Sequence, residues 1–226
     1  AIGVAAADID SDGREEIYVL NTDTFAGAKQ FADRLFVYGD SWRDLFSLPE
    51  NAAALNLTAG RSVAAVDRFG AGRYGFIVAN YGGPMRLYEL DADGYIRDVA
   101  PSAGLALTTG GRGLVSLPLV SAGMDIFAGN ENGPNFLFRN KGNGTFDEIA
   151  GQLGIDDPFE NVRGIAPLDA NGDGLFDLAY GNWEGPHRLF VQSSDGFWDD
   201  TAPTVMAQPS RIRTVIAADF DNDGYE

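Results

Sequence analysis

The chain is expected to be all-β and to fold as a β-propeller of four-stranded blades. Three observations predict this: an acidic turn recurs along the sequence, the residues flanking it recur with it, and every repeat reads as four short strands. Taking the first position of the turn as a marker, repeats start at Asp8, Asp67, Leu117, Asp169 and Asp219, in steps of 59, 50, 52 and 50 residues. A unit of about 50 residues made of strands cannot bury both its faces alone, so such units stack radially into a ring.

The elements follow in order within each unit. Arginine opens the first strand in Arg61-Ser62-Val63, Arg112-Gly113-Leu114, Arg163-Gly164-Ile165 and Arg213-Thr214-Val215. After the turn comes a second strand ending in asparagine, at Asn21, Asn80, Asn130 and Asn182. A Gly-Pro turn then leads into a third strand at Gly83-Pro84, Gly133-Pro134 and Gly185-Pro186. An aromatic-bearing fourth strand follows in Gly94–Val99, Gly144–Ile149 and Gly196–Asp200. Runs rich in Val, Ile, Leu and aromatics, punctuated by Gly, Pro, Asn and Asp, read as strands, and no long stretch has the helical period. Approximate blades are 1–58, 59–108, 109–159 and 160–210, with the start of a fifth at 211–226. The chain opens inside a strand and closes inside a turn, so a partial propeller from a longer ring is expected.

Three turns carry metal-ligand chemistry. Asp8, Asp10, Asp12 and Glu16 stand at positions 1, 3, 5 and 9 around Gly13, with the Arg14 carbonyl as a fifth oxygen. Asp169, Asn171, Asp173 and Asp177 repeat that pattern around Gly174, with the Leu175 carbonyl in the same place. Asp219, Asp221 and Asp223 begin a third. Hard oxygens clustered in one tight loop suit Ca2+, which takes six to eight of them. An EF-hand would need a bidentate Glu at position 12 between two helices, but Val19 and Tyr180 stand there, inside strands. A lone Asp-Gly turn is ordinarily just a solvated turn; recurrence at matching places favours calcium. The second turn keeps Asp67 and the third only Asp125, so both read as decayed.

Composition narrows the function. A formal charge of −17 and a pI near 4.2 argue against nucleic acid as a partner. Much of that charge sits in the loops that calcium would neutralise. There is no cysteine and no apolar run long enough to span a membrane. Arginine outnumbers lysine fourteen to two, which favours planar, hydrogen-bonded roles for positive charge. The four arginines that open the first strands read as inter-blade hydrogen-bond donors, since they recur in every unit. His187 is the only histidine, in a slot filled elsewhere by Met85 and Asn135, which points to packing or hydrogen bonding and leaves no partner for a catalytic triad. Trp42, Trp183, Trp198, Phe146 and Phe197 are expected to fill space between blades, with Trp183 the one candidate for an exposed contact.

The stretches Ala1–Tyr18, Ala59–Ala64, Asn130–Phe138, Gly181–Leu189 and Arg213–Asp223 together resemble the cartilage acidic protein (ASPIC/UnbV) family. That resemblance implies a secreted, seven-bladed, integrin-α-like propeller of FG-GAP (VCBS) repeats followed by an ASPIC/UnbV domain. Vertebrate members add a calcium-binding EGF module, and one antagonises a neuronal Nogo receptor. Three functions are consistent with the sequence. The leading one is a calcium-binding extracellular scaffold for adhesion or protein recognition, not an enzyme, with a cell-surface receptor or matrix component as partner. In a bacterial source the location would be the periplasm or cell surface. A carbohydrate-binding propeller with a glycan partner is the alternative, although Tyr81 and Glu131 do not repeat Trp183 as an aromatic pair. A polysaccharide-active enzyme ranks last, because histidine and lysine are scarce as general bases.

Overall fold

A computed structural model describes residues 1–222 except Phe197, with the backbone alone at Thr109. Among these described residues sixteen strands are grouped in fours. The first set is β1 (Gly3–Ala7), β2 (Glu16–Leu20), β3 (Arg34–Tyr38) and β4 (Trp42–Asp44). The second is β5 (Gly60–Val66), β6 (Gly75–Pro84), β7 (Arg86–Leu90) and β8 (Ile96–Asp98). The third is β9 (Thr108–Leu117), β10 (Asp125–Asn130), β11 (Phe136–Asn140) and β12 (Phe146–Glu148). The fourth is β13 (Val162–Leu168), β14 (Asp177–Asn182), β15 (Arg188–Gln192) and β16 (Trp198–Asp200). Each set is an antiparallel meander in chain order, and neighbouring sets pack face to face, as blades of a propeller do. Among the described residues helix is confined to one or two turns, such as α1 (Ala100–Ala103), α2 (Ala150–Leu153) and the 3-10 segment Pro49–Ala54.

The core consists of separate interfaces between blades, and the central strands show why. Successive side chains of a strand point to opposite faces. On β6, Phe76 and Val78 pack with Tyr18, Leu20 and Leu35 of the first blade, whereas Ile77 packs with Ile126 and Phe138 of the third. On β10, Ile126 and Ala128 face the second blade and Phe127 faces Tyr180 and Phe190 of the fourth. Both faces of β6 and β10 are therefore buried, and these strands read as unbroken apolar runs with no alternation. Trp198 and Phe146 lie in these interfaces as expected. Trp42 does not. It is 54% exposed and packs edge-on against Tyr38.

Polar residues at fixed places tie each meander together. Asn80, Asn130 and Asn182 donate through Nδ2 to the carbonyls of Pro84, Pro134 and Pro186, at 2.8, 2.6 and 2.6 Å. The strand-ending asparagine thus caps the Gly-Pro turn. In the first blade Asn21 reaches the Ala32 carbonyl instead, across the longer connection that lengthens the first repeat. A second device lay unrecognised in the sequence. Asp44, Asp98, Glu148 and Asp200, each ending a fourth strand, accept the N–H of Leu35, Leu87, Leu137 and Leu189 and the N–H two residues onward.

Two features differ from the sequence expectation. The Gly83-Pro84 segment does not break the sheet: β6 runs on through it and pairs with the start of β9, Tyr81 opposite Gly110 and Pro84 opposite Thr108. That joins blades two and three into one eight-stranded sheet. On its other side Gly110 meets the end of β10, where a Cβ would sit 1.8 Å from the Glu131 carbonyl oxygen, so this crowded position requires a residue without Cβ. Secondly, Arg213–Ile216 forms no ladder, although the Thr214–Val215 backbone lies against Gly164 of β13.

Candidate metal centre

In each of the four blades the acidic turn, intact or decayed, joins the first strand to the second. In the first blade Ser11 and Gly13 take left-handed φ values of 64° and 84°, which coils Asp8–Glu16 tightly. Asp8 accepts the N–H of Asp12 and Gly13 at 3.2 and 2.9 Å, and Asp10 accepts Asp12 N–H at 3.1 Å. The side chains are thereby aimed inward by their own backbone, the Asx behaviour that favours these residues in turns. Glu16 is buried and holds the Ile9 N–H with Oε2 at 2.9 Å. Carboxylate oxygens of Asp8, Asp10 and Glu16 lie within 4.8 Å of one another. Asp12 turns aside and holds the Arg14 backbone and guanidinium.

The electrostatics agree with a cation site. Burial first, and then the charges of Asp10, Asp12 and Asp8, push the Glu16 carboxyl above its ordinary range. A divalent cation among these oxygens would offset both effects. A cleft lined by Asp10, Asp12, Arg14, Tyr38 and Arg43 leads to the loop from solvent. The donor set, all oxygen and mostly charged, suits a hard ion such as Ca2+.

The fourth-blade loop has the same backbone form. Gly172 and Gly174 have φ of 75° and 84°, and Asp169 accepts the N–H of Gly172, Asp173 and Gly174. Its side chains are arranged differently. The Asn171 amide donates to Asp173 at 2.9 Å. Asp177 is fully buried, with its two oxygens on the N–H of Ala170 and Gln192. Both Asp177 oxygens thus accept backbone N–H groups, whereas Glu16 accepts one, from Ile9, through Oε2. In the third candidate Asn222 takes a φ of 58°, matching Ser11 and Gly172 at position 4. Asp219 is half-buried and Asp221 exposed, and Asp223 lies outside the described residues.

The decayed loops diverge from one another. The second keeps the coil, with left-handed Gly70 and Gly72, and Asp67 still accepts Phe69 and Gly72 N–H. In the third, buried Asp125 accepts the N–H of Leu119, Val120, Ser121 and Asn140. Backbone donors there occupy the carboxylate that a cation would otherwise neutralise.

The opposite ends of the first strands carry the recurring arginines. Glu131 accepts both Arg163 terminal nitrogens, at 2.8 and 2.9 Å, and also binds Arg112. Since Arg112 and Glu131 belong to blade three and Arg163 to blade four, this is an inter-blade clamp of the expected kind. Burial alone would raise the Glu131 pKa, but hydrogen bonds from Arg163 and Arg112 outweigh it and hold it down at about 2. A carboxyl depressed in the folded state adds stability that is complete above its ordinary value of 4.5 and lost as pH falls towards about 2. Glu131→Gln is expected to remove part of that acid sensitivity, seen as a flatter plot of melting temperature against pH. An unchanged slope would mean the clamp contributes nothing.

His187 replaces Asn135 in the slot that accepts an N–H from the second strand. Asn130 N donates to Asn135 Oδ1 at 2.9 Å, and Asn182 N to His187 Nδ1 at 3.1 Å. With Nδ1 accepting, the proton sits on Nε2 and points to Ser210 Oγ, 2.8 Å away. That tautomer cannot take a proton from the serine, so the pair is a structural link.

Stacked four-stranded blades with acidic first-to-second-strand loops define a propeller of repeated acidic-loop units, and the FG-GAP-like repeat family matches residues 123–180 and 169–226. Cartilage acidic protein 1 from Xenopus tropicalis is 51% identical over 99% of this chain, and those from Mus musculus and Homo sapiens are each 49% identical over the same share. The chain belongs to the cartilage acidic protein family. It spans 38% of the length of the frog and mouse relatives and 37% of the human one. A solved structure of a candidate exo-β-1,3-galactanase from Bifidobacterium bifidum aligns over 88% of this chain and 70% of its own, at 11% identity and a TM-score of 0.47. That likeness says nothing of substrate. Among the described residues no helix is long and apolar enough to cross a membrane.

Proposed function

We propose that this chain is a calcium-stabilised, non-enzymatic propeller that works outside the cell as a recognition scaffold for a protein partner. The observation that carries the reading is the convergence of Asp8, Asp10 and Glu16 oxygens within 4.8 Å, in a loop whose backbone form recurs in the fourth blade. Bound there, calcium would supply charge neutralisation and stiffness. Asp8, Asp10 and Glu16 would hold it in the first blade, and Asp169, Asn171 and Asp173 in the fourth, with Asp177 joining them through the lone pairs that its single backbone donor on each oxygen leaves open. The extracellular setting is supported by the name of the relatives, which places them in cartilage. The absence of catalysis is supported by His187, whose ring nitrogens are both engaged in holding backbone and Ser210.

Calorimetric titration tests the calcium reading. Heat is expected for the wild type and for Asp67→Ala, whose turn lacks the other carboxylates. Glu16→Gln should lose the first-blade site and Asp173→Ala the fourth. No heat from the wild type at millimolar calcium would show that these are ordinary turns.

A further inference from the structure

At the rim opposite the acidic loops, arginines alternate with the residue that follows each strand-ending asparagine. The Arg61 guanidinium carbon lies 5.0 Å from the Phe25 ring centre and 5.8 Å from that of Tyr81. Arg112 lies 5.1 and 4.8 Å from the same two rings. Arg112 and Arg163 share Glu131. Arg163 and Arg213 then lie 5.1 and 4.8 Å from the ring of Trp183. Arg61, Arg112 and Arg163 thus each bridge their own blade and the one before it, and Arg213 reaches back to the fourth, in a series that touches four blades.

The charges along this series do not balance. Glu131 answers Arg112 and Arg163, and exposed Glu184 answers Arg211. Arg61 donates to the Phe25 carbonyl and has no carboxylate partner among the described residues; nor has Arg213. Arg61 also shares its two rings with a second cation, Arg112, and its Nε is buried without an acceptor among the described residues. In a chain of net charge −17, this rim holds a local positive excess that would draw anions.

The stacking decides what kind of anion fits. A guanidinium lying on a ring has its face covered and presents its N–H edge, a planar fork that matches two oxygens of a sulfate or carboxylate. Glu131 takes up the forks of Arg112 and Arg163, Arg61 and Arg213 meet no carboxylate among the described residues, and between these two lie apolar rings, of which Phe25 is 62% exposed. An extended peptide would dock by adding a strand to an open edge, but at this rim β6 and β9 already pair with each other.

We propose that this arginine–aromatic rim binds an anionic glycan, through sulfate or carboxylate groups held by Arg61 and Arg213 and sugar faces laid on Phe25 and Trp183. The site is on the opposite face from the acidic loops and does not rest on the calcium reading, so binding should persist in chelator below the melting temperature.

Binding of a fluorescent chondroitin sulfate oligosaccharide tests this directly. The wild type should bind, more weakly as salt rises. The Arg61→Ala/Arg213→Ala double variant should lose about tenfold or more, the worth of one or two charge-assisted hydrogen bonds. Arg213→Ala alone alters an exposed side chain, keeps the fold and should lose part of the affinity, whereas Arg139→Ala on β11 should lose none. Hyaluronan, which has carboxylates and no sulfate, is expected to bind in the same order of variants. Absent glycan binding, or binding indifferent to Arg61 and Arg213, would overturn the proposal. So would poly-L-glutamate binding as tightly with the same losses, which would assign the rim to acidic polypeptide.

Discussion

Asp33→Ala is expected to cost about 3–5 kcal/mol of unfolding free energy, the usual penalty for leaving one member of a buried ion pair alone. Asp33 and Lys29 have side chains with no solvent exposure and meet at 2.5 Å. Asp33 also accepts the Tyr18 hydroxyl, the Asn21 N–H and the Asn56 amide. Burial already pushes the Lys29 pKa down against the pull of Asp33, so without the carboxylate its charge would be stranded against the Asn21 carbonyl alone. Urea denaturation measures the cost. The double change Lys29→Met/Asp33→Leu removes both charges and should recover the part due to the stranded lysine, while the cost of leaving the Tyr18, Asn21 and Asn56 donors without this acceptor remains. A loss below about 1 kcal/mol, the scale of surface pairs, would mean that water reaches the site.

Chelation is expected to have the second-largest effect. A ligand binding only the folded state adds RT ln(1 + [L]/Kd), about 2.7 kcal/mol at a hundredfold excess. For a domain of this size that is roughly 5–10 °C in melting temperature. EGTA should therefore lower the melting curve of the wild type and leave that of a chain lacking both loop acids, Glu16→Gln/Asp173→Ala, largely where it was. Asp125→Asn should destabilise without altering the response to calcium, because its partners are backbone N–H groups. A wild-type curve indifferent to EGTA would overturn the stabilising role.

The blade pattern was legible because strand punctuation is local chemistry: Asp-Gly coils, Asn caps and Gly-Pro turns act within a few residues. The matched asparagines showed where strands end, though not that three of them hold a proline carbonyl. What escaped the sequence depends on neighbours. The fusion of β6 with β9 requires two segments about 30 residues apart to meet, and nothing local to Tyr81 or Thr108 announces it. Trp42 looked like a space-filler because tryptophan usually is, but its ring packs edge-on against Tyr38 and stays half exposed. At the acidic loops, position alone indicated the ligands, while the difference between Glu16 and Asp177 turned on which backbone N–H groups lay within reach. Asp33 carried no signal, since its partners come from three separate segments.

The double-sided burial of β6 and β10 has a consequence for how the chain finds its way. In a sheet with one wet face, a strand paired one residue out exposes its apolar set and is rejected. Here a slip of β6 would exchange Phe76 and Val78 for Ile77 and still bury oily side chains on both sides. The apolar middle therefore barely discriminates against misalignment, and near-degenerate pairings of that sort are kinetic traps. Discrimination falls to the polar ends: an asparagine one step out misses its proline carbonyl, and a buried acid one step out misses its N–H. The proofreading of this fold resides in its punctuation.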